Sequence, residues 1–77
     1  MIKSNVHINV RKIRELKSLT REFVAEEVKM SMSGYGKIER GEVDLTVSKL
    51  IEIAKVLDVS VEFILKFDTT IFFIDTK

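Results

Sequence analysis

The chain has 77 residues, of which 45% are hydrophobic and 32% are charged, and its formal net charge is +1. This length fits one small domain near the lower limit for a single hydrophobic core, and the composition excludes a disordered charged tail. The absence of cysteine and the single histidine, His7, exclude disulfides, thiolate metal sites and imidazole clusters, and no apolar run has the length of a membrane span, so we expect a soluble protein.

A repeated pattern predicts four helix starts. In each, Ser or Thr follows an apolar residue, and a second apolar residue stands four positions after the hydroxyl residue. The hydroxyl can accept from the unpaired amides of the first helical turn, while the two apolar residues clip the entering chain against that turn. The four predicted caps are Thr20, Ser31, Thr46 and Ser60. Proline is absent and the three glycines lie between Gly34 and Gly41. The residues that usually bound strands and hairpins are therefore missing from most of the chain, which favours helices.

These starts and the apolar spacing predict five short helices. The predicted ranges are about 6–17, 21–28, 32–39 and 47–57, followed by a short fifth helix after Ser60. Helices this short are unstable alone, so they must share one core. The residues expected to face it are Val6, Val10 and Ile13, with Leu16 close to the same face, then Val24, Ala25 and Val28, then Tyr35 and Ile38, and finally Val47, Leu50, Ile51, Ala54 and Leu57.

The last segment departs from the helical pattern. Residues 69–74 are rich in β-branched and aromatic side chains and too few for a helix, which predicts a strand. In a strand, Ile71 and Phe73 would face one way and Phe72 and Ile74 the other. Because a lone apolar strand is an aggregation risk, we expect it to pair with its counterpart in a second subunit and form a dimer interface. The alternative is a tail that folds back onto its own helices.

Charge is distributed unevenly along the chain. Residues 1–40 hold nine Lys or Arg and five Glu, hence +4, whereas residues 41–77 hold four Lys and seven Asp or Glu, hence −3. A basic half is consistent with a positive surface that faces an anionic partner. A chance segregation of solvated side chains explains the charge alone equally well.

The second and third predicted helices are separated only by residues 29–31, a connection that forces the sharp turn of a helix-turn-helix. The surrounding residues resemble the lambda-repressor-like helix-turn-helix family, also called the Cro/CI type or Xre family, over about 6–65. The resemblance is carried by LTREFVAEEVKMS (19–31), IERGE (38–42) and IAKVLDVS (53–60). It implies an all-α, five-helix DNA-binding domain, to which we assign residues 1–67. The short C-terminal β-strand expected from its composition then lies in a dimerisation tail, residues 68–77.

The resemblance also implies which residues contact DNA. Met32, Ser33 and Lys37 match positions that point at base edges. Lys37 can donate to guanine O6 and N7, and Met32 can touch a thymine methyl. The alternatives are a phosphate contact for Lys37 and no contact for Met32. The residues that match positions at the DNA backbone are Arg21, Ser31, Tyr35, Arg40 and Gly41, and we expect the Tyr35 ring to be buried with its hydroxyl near the surface.

Arg14 and Glu39 match a family pair that links the first helix to the end of the third, which implies a partly buried structural ion pair. The chain departs from the family in three respects, one of which is its net charge of only +1, where many nucleic-acid-binding proteins are strongly basic. Lys29 stands at a turn position that usually holds Gly, while Gly34 and Gly36 lie inside the recognition helix, where each costs about 1 kcal/mol relative to Ala. The two glycines either let the helix approach the groove closely or leave it partly frayed until DNA binds.

The function implied by the resemblance is that of a bacterial or phage transcription regulator, such as a repressor, in the cytoplasm. It would bind double-stranded DNA as a homodimer on a pseudo-palindromic operator, without a cofactor or a metal. The alternative is an antitoxin-like interaction module whose C-terminal strand docks on a second protein, such as a toxin, with autoregulatory DNA binding. We do not expect an enzyme, because the sequence shows no catalytic triad, glycine-rich phosphate loop or metal-ligand spacing.

Overall fold

A computed structural model describes residues 3–68, and every regular element within that range is an α-helix. The helices are α1 (Lys3–Leu16), α2 (Arg21–Glu27), α3 (Met32–Glu39), α4 (Val47–Leu57) and α5 (Val61–Lys66). Helix α1 packs against α3 and α5, α2 packs against α3 and α4, and α4 packs against α5. The predicted all-α, five-helix fold is therefore confirmed. The predicted strand and its interface residues, Ile71, Phe72, Phe73 and Ile74, lie outside the described residues.

All four predicted caps begin a helix. The cap hydroxyl accepts from the backbone N–H three residues later, at 2.9 to 3.1 Å, in Thr20, Ser31, Thr46 and Ser60. The apolar residue before each cap is partly buried against the core, and the one four positions after it is buried. These pairs are Leu19 with Val24, Met30 with Tyr35, Leu45 with Leu50, and Val59 with Ile64. Cap and staple therefore act together at each start, as predicted.

Four helices end in the same backbone turn. One residue in each turn has a positive φ: Ser18 (59°), Lys29 (59°), Gly41 (74°) and Asp58 (60°). The N–H of this residue donates to the carbonyl three positions back, and the next N–H donates to the carbonyl five positions before itself. This pair of bonds is the Schellman motif, which normally uses glycine. Only the turn at Gly41 contains a glycine at the positive φ, so glycine does not mark the other three turns.

Replacing Lys29 by glycine is expected to stabilise the protein by about 0.5–1 kcal/mol. Left-handed backbone costs a residue with a Cβ atom about 1–2 kcal/mol, and the greater freedom of glycine in the unfolded chain cancels part of the gain. Lys29 is exposed, so its removal loses little packing. Urea unfolding of the wild type, Lys29→Gly and Lys29→Ala measures the effect. The alanine variant should match the wild type, and an equal gain from alanine would show that the positive φ is not the cause.

The core differs from the predicted one at a few positions. Leu16 (59% exposed), Val47 (73%) and Ile51 (42%) lie on the surface, whereas Ile53 is fully buried. Leu16 is the last residue of α1 and Val47 the first of α4, so both lie beyond the edge of the core. The buried stripe of α4 is centred on Leu50, Ile53, Ala54 and Leu57. Ile51 lies about 100° around the helix from Leu50 and so falls outside that stripe.

Candidate nucleic-acid interface

Helix α3 is buried along one face and exposed along the other. Tyr35, Ile38 and Glu39 are each 4% exposed or less. Met32, Ser33 and Lys37, the three residues predicted to face DNA bases, are exposed. At about 100° per residue, Ser33 and Lys37 lie opposite the buried face, and Met32 lies at the boundary between the buried and the exposed face. The structure thus brings the three predicted residues together on the outward face of α3.

The end of α3 is attached to α1 by a buried, bidentate ion pair. Arg14 Nε lies 2.7 Å from Glu39 Oε2, and Arg14 Nη2 lies 3.0 Å from Glu39 Oε1. Arg14 Nη1 also donates to the carbonyl of Leu19, at 2.8 Å, just before α2. Arg14 is 8% exposed and Glu39 is 4% exposed. One guanidinium therefore fixes α3 to α1 and to the start of α2, so that α3 is held rigidly in place.

Tyr35 belongs to this buried network and does not face the DNA side. Its side chain is fully buried, and its hydroxyl donates to Glu39 Oε2, one turn further along α3. Burial and the bond to Glu39 both raise the pKa of Tyr35, so the hydroxyl stays protonated and acts as a donor. The expectation of a hydroxyl near the surface that reaches a phosphate is therefore corrected. The hydroxyl instead donates to the Glu39 carboxylate, on the inner face of the helix.

Arginine side chains line a shallow cleft between α1 and the start of α2. The cleft has a volume of about 480 Å³ and is lined by Arg11, Arg14, Glu15, Leu19, Thr20, Arg21 and Glu22. Arg21 was predicted to contact the DNA backbone, and it is exposed here. Sequence reasoning missed Arg11, although its position three residues before Arg14 places both on one face of α1. Arg14 is already paired with Glu39, so Arg11 and Arg21 are the cations of the cleft that remain for an anionic partner, beside the carboxylates of Glu15 and Glu22.

The turn after α3 is fixed by a close contact with α1. Gly41 has a φ of 74°, and a Cβ atom built on it would lie 2.7 Å from His7 Nε2. Only glycine fits there, since any side chain would overlap the imidazole. Sequence reasoning assigned Gly41 to a backbone-contacting corner but gave no role to His7. The exposed hydroxyl of Ser31 caps the other end of α3.

Arg40 lies at the end of α3 and pairs with Glu42. Arg40 Nε is 2.7 Å from Glu42 Oε2, and Arg40 Nη2 is 3.4 Å from Glu42 Oε1. The bond from Arg40 lowers the pKa of the Glu42 carboxyl, which is therefore ionised at neutral pH. Helix α3 runs without a break through Gly34 and Gly36, so the two glycines do not fray the helix.

The family model described as helix-turn-helix matches residues 10–64 of the chain. The match begins within α1 and ends within α5, so it spans the α2–α3 unit completely. No curated protein and no solved structure gives a match to the chain.

Across residues 3–68, no helix is long and apolar enough to span a bilayer. Within the same range, no group of three or more His, Asp or Glu side chains is placed to hold a metal ion.

Proposed function

The chain belongs to the Cro/CI-type helix-turn-helix family of DNA-binding regulators, and we propose that it binds a specific, pseudo-palindromic operator as a homodimer. The outward face of α3 would enter the major groove, with Ser33 and Lys37 at base edges and Met32 beside a thymine methyl. The observation that carries the proposal is the two-sided character of α3. Tyr35 and Glu39, on its inner face, are buried in the core, while Ser33 and Lys37, on its outer face, are exposed.

Three exposed arginines support contacts that fix the register on the duplex. Arg11 and Arg21 line the cleft at the start of α2, and Arg40 stands at the end of α3. Phosphate contacts of this kind position a protein along the groove but do not read sequence. In this arrangement Ser31 and the Gly41 turn lie at the two ends of α3, where they would meet the DNA backbone.

A two-fold dimer would place two α3 helices in successive major grooves about 34 Å apart. Each subunit would then contribute two or three phosphate contacts. Because each neutralised phosphate releases condensed counterions, the logarithm of the binding constant should fall against the logarithm of salt concentration with a slope of about −4 to −5. The proposed dimer contact uses Ile71, Phe72, Phe73 and Ile74, which lie outside the described residues.

The test is a selection from random duplexes, followed by titration of the enriched duplex at several salt concentrations. We expect a palindromic site, two chains per duplex, and the slope given above. Lys37→Ala should weaken binding to this duplex, whereas Lys66→Ala, which removes the same charge from α5, should weaken it much less. The proposal would be contradicted if no sequence were enriched at any salt concentration, or if the two variants weakened binding equally.

The alternative, an antitoxin-like module that docks on a toxin or another protein, depends on the same C-terminal residues, 71–74. Since the described residues do not reach them, this alternative stays a prediction. A stable protein partner that is lost when residues 69–77 are deleted, while DNA binding survives, would favour it over the regulator that acts alone.

A further inference from the structure

Arg40 lies on the outward face of α3, together with the residues assigned to base contacts. Its backbone angles, φ −87° and ψ −1°, remain close to helical values, so it continues the angular progression of the helix. At about 100° per residue, Arg40 falls between Gly36 and Ser33 and nearly opposite the buried face. An arginine at this place adds a third polar side chain to the surface formed by Ser33 and Lys37.

The guanidinium of Arg40 lies back over α3 and occupies the space that Gly36 leaves. A Cβ atom built on Gly36 would lie 2.9 Å from Arg40 Nη1 and 3.8 Å from Arg40 Cζ. Gly36 is buried although it lies on the outward half of the helix, and the arginine covers it. This contact accounts for a glycine in a helix interior, where glycine is otherwise unfavourable.

Glu42 holds the guanidinium by one edge and leaves another edge free. It accepts from Nε at 2.7 Å and from Nη2 at 3.4 Å. Arginine carries five N–H donors in a planar fork, so the N–H groups of Nη1 and the second N–H of Nη2 are not used by Glu42. Two parallel donors of this kind match the O6 and N7 acceptors of guanine in the major groove.

We propose that Arg40 reads a guanine base directly, and that Glu42 and Gly36 position its guanidinium for this contact. Arg40 is thus a specificity-determining residue in addition to Ser33 and Lys37, and not only a contact to the DNA backbone. The proposal rests on the proposed DNA-binding function, and it adds a base, guanine, to the predicted operator. In this arrangement Glu42, although negative, orients the arginine for the contact.

The first test compares wild type and Arg40→Lys in selection from random duplexes and in titration of the enriched and a scrambled duplex. Lysine keeps the charge but loses the planar fork. We expect affinity for the enriched site to fall by about 5- to 150-fold for each half-site, the equivalent of one bidentate base contact per subunit, with affinity for the scrambled duplex unchanged. One guanine should also disappear from each half-site of the selected sequence. An unchanged site, or an equal loss on both duplexes, would overturn the inference.

Glu42→Gln separates positioning from simple charge. Removal of a negative charge near DNA should raise affinity for the scrambled duplex. If Glu42 orients Arg40, the ratio of specific to scrambled affinity should fall at the same time, by part of the loss seen in Arg40→Lys. An increase of the same size on both duplexes would show that Glu42 acts through charge alone, which contradicts its positioning role.

Gly36→Ala tests the same contact in a protein that should fold at least as well as the wild type, since alanine favours helix. The new methyl group would displace the guanidinium, so sequence preference should decline while the melting temperature holds or rises. Gly34→Ala is the matched control, because its Cβ atom would approach Ser31 Oγ (3.2 Å) and Met30 Cε (3.5 Å), not Arg40. Unchanged preference in Gly36→Ala would overturn the inference. If the wild type itself enriches no sequence, it is the proposed function that fails.

Discussion

Replacing Glu39 by alanine is expected to destabilise the protein by about 3–5 kcal/mol, because it leaves a charge and a hydroxyl buried without their acceptor. Arg14 is 8% exposed and Tyr35 is fully buried, and both donate to the Glu39 carboxylate. A domain of this size has a total stability of roughly 4–12 kcal/mol. At the lower end of that range the loss would leave most molecules unfolded, and at the upper end it would shift the unfolding midpoint to a lower urea concentration.

Urea unfolding of the wild type, Glu39→Ala and Glu42→Ala measures this effect. Glu42 also forms a bidentate pair with an arginine, but both partners are about half exposed, so its removal should leave stability almost unchanged. Replacement of both Arg14 and Glu39 by methionine should recover part of the loss, since it removes the buried charge together with its partner. If Glu39→Ala costs no more than Glu42→Ala, then the buried pair does not anchor α3.

Ile53→Ala is expected to cost about 2–5 kcal/mol, whereas Ile51→Ala should cost no more than about 1 kcal/mol. Ile53 is fully buried and Ile51 is 42% exposed, although the two residues have the same side chain and lie two positions apart in α4. Truncation of Ile53 leaves a cavity in the core, while truncation of Ile51 removes partly solvated surface. The difference between the two free energies of unfolding, measured in urea, isolates burial. Equal costs would mean that α4 presents a different face to the core.

The helix starts could be predicted from sequence because their determinants are local. Each cap and its staple lie within six consecutive residues, and each hydroxyl bonds the N–H three residues later. The predicted bounds of α3 and α4 agree with the structure, and α1 differs in beginning at Lys3. The outward face of α3 followed from these bounds and from the helical period, which is why Met32, Ser33 and Lys37 do lie together.

Features that depend on distant neighbours could not be predicted in the same way. Which isoleucine of α4 is buried depends on where α2 and α5 pack against that helix, and the apolar pattern alone admits both. Tyr35 is turned inward because the Glu39 carboxylate, which Arg14 holds from across the core, accepts from its hydroxyl. The placement of Arg40 over Gly36 similarly requires a side-chain conformation that sequence spacing does not specify.

The positive-φ turns show a third limit. Ser18, Lys29 and Asp58 adopt a conformation in which glycine is usual, and none of them is glycine, so residue type does not mark these turns. Only the family resemblance points to one of them, at Lys29. The helices end there because the preceding carbonyls find donors in the Schellman bonds. These donors are backbone amides, which every sequence has, so composition does not reveal where they will act.

Amide chemical shifts in an NMR titration with the selected duplex test most directly whether the outward face of α3 is the DNA-binding surface. We predict the largest shift changes at residues 31–42, smaller ones at Arg11 and Arg21, and the smallest in α5. Large changes confined to α4 and α5, with α3 unaffected at saturation, would show that DNA does not bind at α3.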